Sequence, residues 1–133
     1  MIIIGEKING AIPSIKKAIA EHDEALIVER TLAQANAGAD FLDCAPSTAT
    51  DIEYETMVWL MGLMQGVTQI PLCIDSPNAK LLARILEEGH AARPGMVNSV
   101  NEEGDKCETI FPLIAGTPWH VVGLTCDRDG IPA

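Results

Sequence analysis

The chain has 133 residues, 47% of them hydrophobic, and carries 19 acidic against 9 basic side chains for a formal charge of −10. That composition describes one globular unit with enough apolar residues for a core. It also excludes an obvious nucleic-acid or acidic-membrane surface, because no run of Lys or Arg supplies the basic face that phosphates require. No stretch approaches the ~18 continuous apolar residues of a membrane helix. Residues Met1 to Glu6 lack the basic region and cleavage site of a signal peptide, so a cytoplasmic location is expected. Cys44, Cys73, Cys107 and Cys126 form no CxxC pair and read as free thiols of a reducing compartment.

In chain order, Met1 to Ile4 is a compact apolar run that predicts a buried first strand, with Glu6-Lys7-Ile8-Asn9-Gly10 as the polar loop after it. Pro13-Ser14 opens a short helix through Ala20, and Asp23 caps a longer one that Gly38 stops. Ala39 to Asp43 is a second strand ending in a carboxylate, followed by a loop from Cys44 to Ala49. Asp51 starts a helix whose stripe of Met57, Val58, Trp59, Leu60, Met61, Leu63 and Met64 is expected to be core. Pro71 to Asp75 is a third strand, and Ser76 or Asn78 caps the helix that follows. Gly95 to Val100 is a fourth strand, residues Glu102 to Ala115 a helix, and His120 to Thr125 a fifth strand.

The elements alternate β-α four times and finish on a strand. Successive strand ends fall roughly 25 to 40 residues apart, the size of a right-handed βα unit. An α/β fold follows, either a doubly wound sheet or the first part of a (β/α)8 barrel. A closed barrel takes ~250 residues, so five strands are one piece of it, and the inner face of the sheet needs a cover.

In a parallel arrangement the polar residues at the strand exits share one rim: Glu6 and Asn9, Asp43, Asp75, Asn98, Thr125 and Asp127. Lys7 is the one basic residue among them. Carboxylates that accept N–H bonds and amides that both give and accept suit a neutral heterocycle with amide-like edges. They suit a phosphate poorly, since no Gly-rich loop or Arg fork is present. A hard cation is a further possibility, without diagnostic ligand spacing. Asp75 itself has two readings at this point, a helix-capping carboxylate or an acid that faces a ligand.

Ile3 to Gly10, Gly38 to Asp43, Leu72 to Ser76 and Val97 to Asn101 stand in the order seen in the pterin-binding methyltransferases. Phe111-Pro112-Leu113, Gly123-Leu124-Thr125 and Gly130-Ile131-Pro132 continue the similarity to the last residues. The chain most resembles the N-terminal half of the methyltetrahydrofolate:corrinoid methyltransferases, including those that serve corrinoid/iron-sulfur proteins. The resemblance implies a TIM barrel that binds the pterin ring of methyltetrahydrofolate at its carboxyl rim. It also implies transfer of the N5 methyl group to the Co(I) corrinoid of a partner protein. By position it assigns substrate binding to Asp75 and Asn98, and to Glu6 and Asn9 after the first strand, with Asp43 on the same rim. The capping reading of Asp75 loses ground accordingly.

Two departures stand out. After Leu42-Asp43 the corrinoid branch often has an Asn two residues on, and here that position is Ala45. The family's N5-facing Asn comes from later strands, so catalytic residues are expected outside this chain, which is expected to be weak or inactive alone. The loops Glu6 to Gly10 and Cys44 to Thr48 match neither of the corresponding loops of dihydropteroate synthase, whereas the folate module of a methionine synthase remains an alternative. Two other classes compete: a non-catalytic half-barrel that forms a homo-oligomer through its open sheet face, and a metal–thiolate protein built on Cys44, Cys73 and Cys126.

Overall fold

The computed structural model describes residues 1–100 and 116–123. Its five strands are β1 (Ile4–Gly5), β2 (Phe41–Cys44), β3 (Leu72–Asp75), β4 (Met96–Val100) and β5 (His120–Gly123). They form one sheet in the order β1-β2-β3-β4-β5, with every neighbouring pair parallel. The helices are α1 (Pro13–Glu21), α2 (Glu24–Asn36), α3 (Thr50–Val67) and α4 (Ala79–Glu87). The expected helix from Glu102 to Ala115 and the positions Cys107, Thr125, Cys126 and Asp127 lie outside the described residues.

Consecutive strand order is compatible with part of a barrel. A doubly wound sheet reverses direction at a switch point, so its order is never sequential. Here each strand is added beside the last. The described helices pack together on one side of the sheet.

The side chains record that asymmetry. Leu42, Cys44, Leu72, Ile74 and Val97 are buried with the helical residues Ile15, Ile27, Met57, Leu60, Met61, Met64, Leu82 and Ile85 in one continuous core. The alternate residues Phe41, Cys73 and Met96 make a separate cluster with Ile4 on the opposite face. The Met-rich stripe of α3 is therefore core, as its spacing indicated. Among the described residues no helix is long and apolar enough to cross a membrane.

Local chemistry explains most boundaries. Asp23 caps α2 by accepting from Leu26 N at 3.2 Å, and Gly38, at φ 92°, turns the chain out of that helix. Asn78 caps α4, accepting from Lys80 N and Leu81 N at 3.1 and 3.3 Å. The first strand departs from expectation: it covers only Ile4 and Gly5, while Met1, Ile2 and Ile3 are exposed. Ile3 is tied to Asp40 and Phe41 by backbone and carboxylate bonds. However, β1 is an edge strand, so among the described residues it has β2 on one side and no strand on the other. Ile8, in the loop expected to be polar, is fully buried in the core and anchors that loop.

Candidate functional site

The carboxyl ends of β2, β3 and β4 deliver Asp43, Asp75 and Asn98. Each lies two residues beyond a member of the second cluster, namely Phe41, Cys73 and Met96, so all three belong to the sheet face turned away from the helices. Register brings them together: Asp43 sits opposite Cys73, and Asp75 opposite Asn98. The pairing of β4 with β5 shifts register between Asn98 and Val100, an irregularity at the same rim.

Asp43 is 3% exposed and its Oδ1 is buried without a hydrogen-bond partner. Its carboxyl is within hydrogen-bonding reach of Asp75 and of the Cys73 thiol. Burial first, and then the charge of Asp75 beside it, pushes the Asp43 carboxyl up to about 8. Burial also raises Asp75, opposed by the hydrogen bond from Asp43, and Glu6 adds a further repulsive charge to both. The thiols of Cys44 and Cys73 are raised mainly by burial, then by these carboxylates. Glu6, Asp43 and Asp75 thus form one electrostatically connected group.

The turn after β3 is built for rigidity. Ser76 Oγ donates to Glu53 Oε2 at 2.8 Å and accepts from Asn78 N at 3.0 Å, and Ser76 N donates to Asn98 O at 3.2 Å. Glu53 is 4% exposed and Ser76 2%. Because Asn78 caps α4 and Ser76 engages Glu53, the capping role is taken and Asp75 is left facing the rim.

Asn9 is placed differently from its neighbours. Its Oδ1 accepts from Ala11 N at 2.9 Å and from Ser47 Oγ at 3.0 Å, so that atom serves the loop itself. Ser47 reaches it from a left-handed backbone, φ 49°. Gly10 donates to Ala45 O at 2.8 Å, and a Cβ on Gly10 would lie 1.8 Å from Pro46 O. The loops after β1 and β2 are therefore packed backbone on backbone, and only glycine permits that approach. Ala45, at the position where an Asn was expected, is buried and bridges to Asn9. Among the described residues no group of three or more His, Cys, Asp or Glu is gathered for a metal.

Compared with known proteins, the chain is 48% identical over 134 aligned positions to a methylcorrinoid:tetrahydrofolate methyltransferase of Eubacterium limosum. The alignment takes in 99% of this chain and 49% of that protein. Along nearly its whole length the chain is similar to that methyltransferase. The resemblance read from Ile3 to Gly10, Leu72 to Ser76 and Val97 to Asn101 is borne out, and the chain spans about half the length of the curated relative it matches. No family model matches the chain.

Two features of the site were not read from the sequence. Glu53 sits between Asp51 and Glu55 at the start of α3, where a row of acids reads as a solvated helix N-terminus. Its burial depends on how α3 packs behind the β3 exit. The Asp43–Asp75 contact was implied by the shared rim but not by any spacing, since the two residues are 32 positions apart on adjacent strands.

Proposed function

We propose that this rim holds the pterin ring of a tetrahydrofolate, within a (β/α)8 barrel enzyme that moves a methyl group between that folate and the corrinoid of a partner protein. The observation that carries this reading is the convergence of Asp43, Asp75 and Asn98 at one corner of the sheet face turned away from the helices. The activity for which the Eubacterium limosum protein is named supports it, as does the consecutive parallel strand order, which is that of a barrel.

The residues fit a pterin. Asp75 accepts from adjacent N–H groups of the ring and fixes its orientation. Asn98, with one donor and one acceptor side, pairs with a neighbouring edge. Glu6 adds an acceptor at the mouth, and Asn9 holds the loop that carries it. The corrinoid supplies the cobalt that gives or takes the methyl group. Proton handling at N5 is assigned to strands beyond β5 of a full-length barrel. The relative's name has the methylcorrinoid as donor and tetrahydrofolate as acceptor, the reverse of the direction expected from the sequence. Both directions pass through one transition state, so the same rim serves either. The reading puts the protein in the cytoplasm, with a corrinoid protein and a soluble folate as partners.

Titration calorimetry with tetrahydrofolate under anaerobic conditions tests the proposal. Binding by the wild-type chain that falls at least tenfold in Asp75→Ala and Asn98→Ala supports it. Equal binding by wild type and both variants would refute it. A second reading, self-assembly into a homo-oligomer, draws on the exposed Ile2 and Ile3 beside the edge strand β1. Sedimentation velocity tests it, with loss of the oligomer expected in Ile2→Lys/Ile3→Lys.

A further inference from the structure

We infer that Asp43 works as a carboxylic acid whose proton is donated to the Asp75 carboxylate, so that this corner carries one negative charge and selects a neutral, N–H-bearing ring edge over a cation. The inference rests on the pterin reading for the identity of the ligand, and on the geometry of the pair for the proton.

The geometric argument begins with Asp43 Oδ1. It is buried, in a side chain 3% exposed, and no donor reaches it. An ionised oxygen in that position is costly, because neither water nor an N–H compensates the lost hydration. The same carboxyl is readily accommodated in its neutral form, and Asp75, on the adjacent strand β3, is the acidic neighbour that can accept its proton's hydrogen bond. The other titratable groups that act on Asp43 do not stabilise its anion enough to change this. Glu6, from the loop after β1, is acidic and repels it. Cys73 on β3 offers a weak thiol donor, and Cys44, next to Asp43 on β2, is a buried thiol held neutral. Among the described residues no cation lies in the group that sets the charge state of Asp43. Two carboxyls that share one proton are the stable arrangement.

The consequence is a specificity device. With both acids ionised, the corner would be a dianion suited to a divalent cation. With the proton on Asp43, Asp75 is the single acceptor anion, oriented by the O–H of its neighbour. The proton belongs to Asp43 because Asp43 is the more deeply buried of the two. Asp43 is a positioning residue in this scheme, since it acts through Asp75.

Carboxyl 13C NMR of the chain, with Asp43→Asn to assign the resonance, reads the proton directly. Tetrahydrofolate calorimetry from pH 6 to 9.5 reads its effect. The expected result is an Asp43 carboxyl still protonated at pH 7. Wild-type affinity should weaken at least tenfold above pH 8, and Asp43→Asn, which keeps an N–H donor toward Asp75 but has no titration, should show a flat profile. An Asp43 resonance already ionised at pH 6, or the same pH profile in Asp43→Asn as in wild type, would overturn the inference. A wild-type chain that binds at no pH while its Asp43 stays protonated at pH 7 would count against the pterin reading and leave the shared proton supported.

Discussion

Replacing Ser76 by Ala tests how the turn that carries Asp75 is held. The Ser76 hydroxyl donates to Glu53 at 2.8 Å and accepts from Asn78 N at 3.0 Å, and both Ser76 and Glu53 are buried. Removal leaves a buried carboxylate without its donor and a backbone N–H without its acceptor. A hydrogen bond to a charged group contributes about 1.5–3 kcal/mol and a neutral one about 1 kcal/mol, so Ser76→Ala should cost about 3 kcal/mol. Glu53→Gln keeps an acceptor for the hydroxyl and should cost about 1 kcal/mol. Urea unfolding is the assay, with an unchanged m-value as the sign that only native stability moved. In the double variant the two costs should fail to add by at least about 1 kcal/mol, as expected of groups in one network. Ser76→Ala within about 0.5 kcal/mol of wild type would show that the network does not hold the turn.

Three further outcomes follow from the geometry. Gly10→Ala should destabilise the chain by about 1–3 kcal/mol, the usual cost of overpacking, because the new Cβ meets Pro46 O; thermal melts of the variant check this, and an unchanged Tm would contradict the packed loops. Glu88 accepts from Tyr54, His90 and Arg84, which lower its carboxyl to about 2. A carboxyl lowered in the folded state adds stability that is present above its ordinary range and lost as pH falls toward 2; the stability difference between wild type and Glu88→Gln, measured by urea unfolding, should therefore shrink between pH 5 and 2. Cys44 and Cys73 are fully buried with raised thiols, so iodoacetamide at pH 8, mapped by mass spectrometry, should leave both unmodified until denaturant is added.

The fold was legible where the sequence punctuates itself. Short apolar runs bounded by turn residues located the strands β2 to β5, and Asp23, Gly38 and Asn78 marked helix ends as capping chemistry requires. Positions at the ends of expected parallel strands were enough to put Asp43, Asp75 and Asn98 on one rim. What remained hidden depended on tertiary packing. Met1 to Ile3 carry the composition of a buried strand, yet burial needs a neighbour on both sides, and β1 has one among the described residues. Ile8 is a lone apolar residue among polar ones and gave no periodic signal. Asn9 has the chemistry of a ligand-binding amide, but the nearby Ser47 hydroxyl and Ala11 N–H occupy its oxygen, and only the folded loops reveal that.

The most direct test of the central claim is amide chemical-shift mapping of the 15N-labelled chain on addition of tetrahydrofolate. The account predicts that the perturbed amides cluster at Asp43, Asp75, Ser76 and Asn98, with the helical face between α3 and α4 unaffected. Perturbations confined to that helical face, or a folded chain with none at saturating ligand, would contradict it.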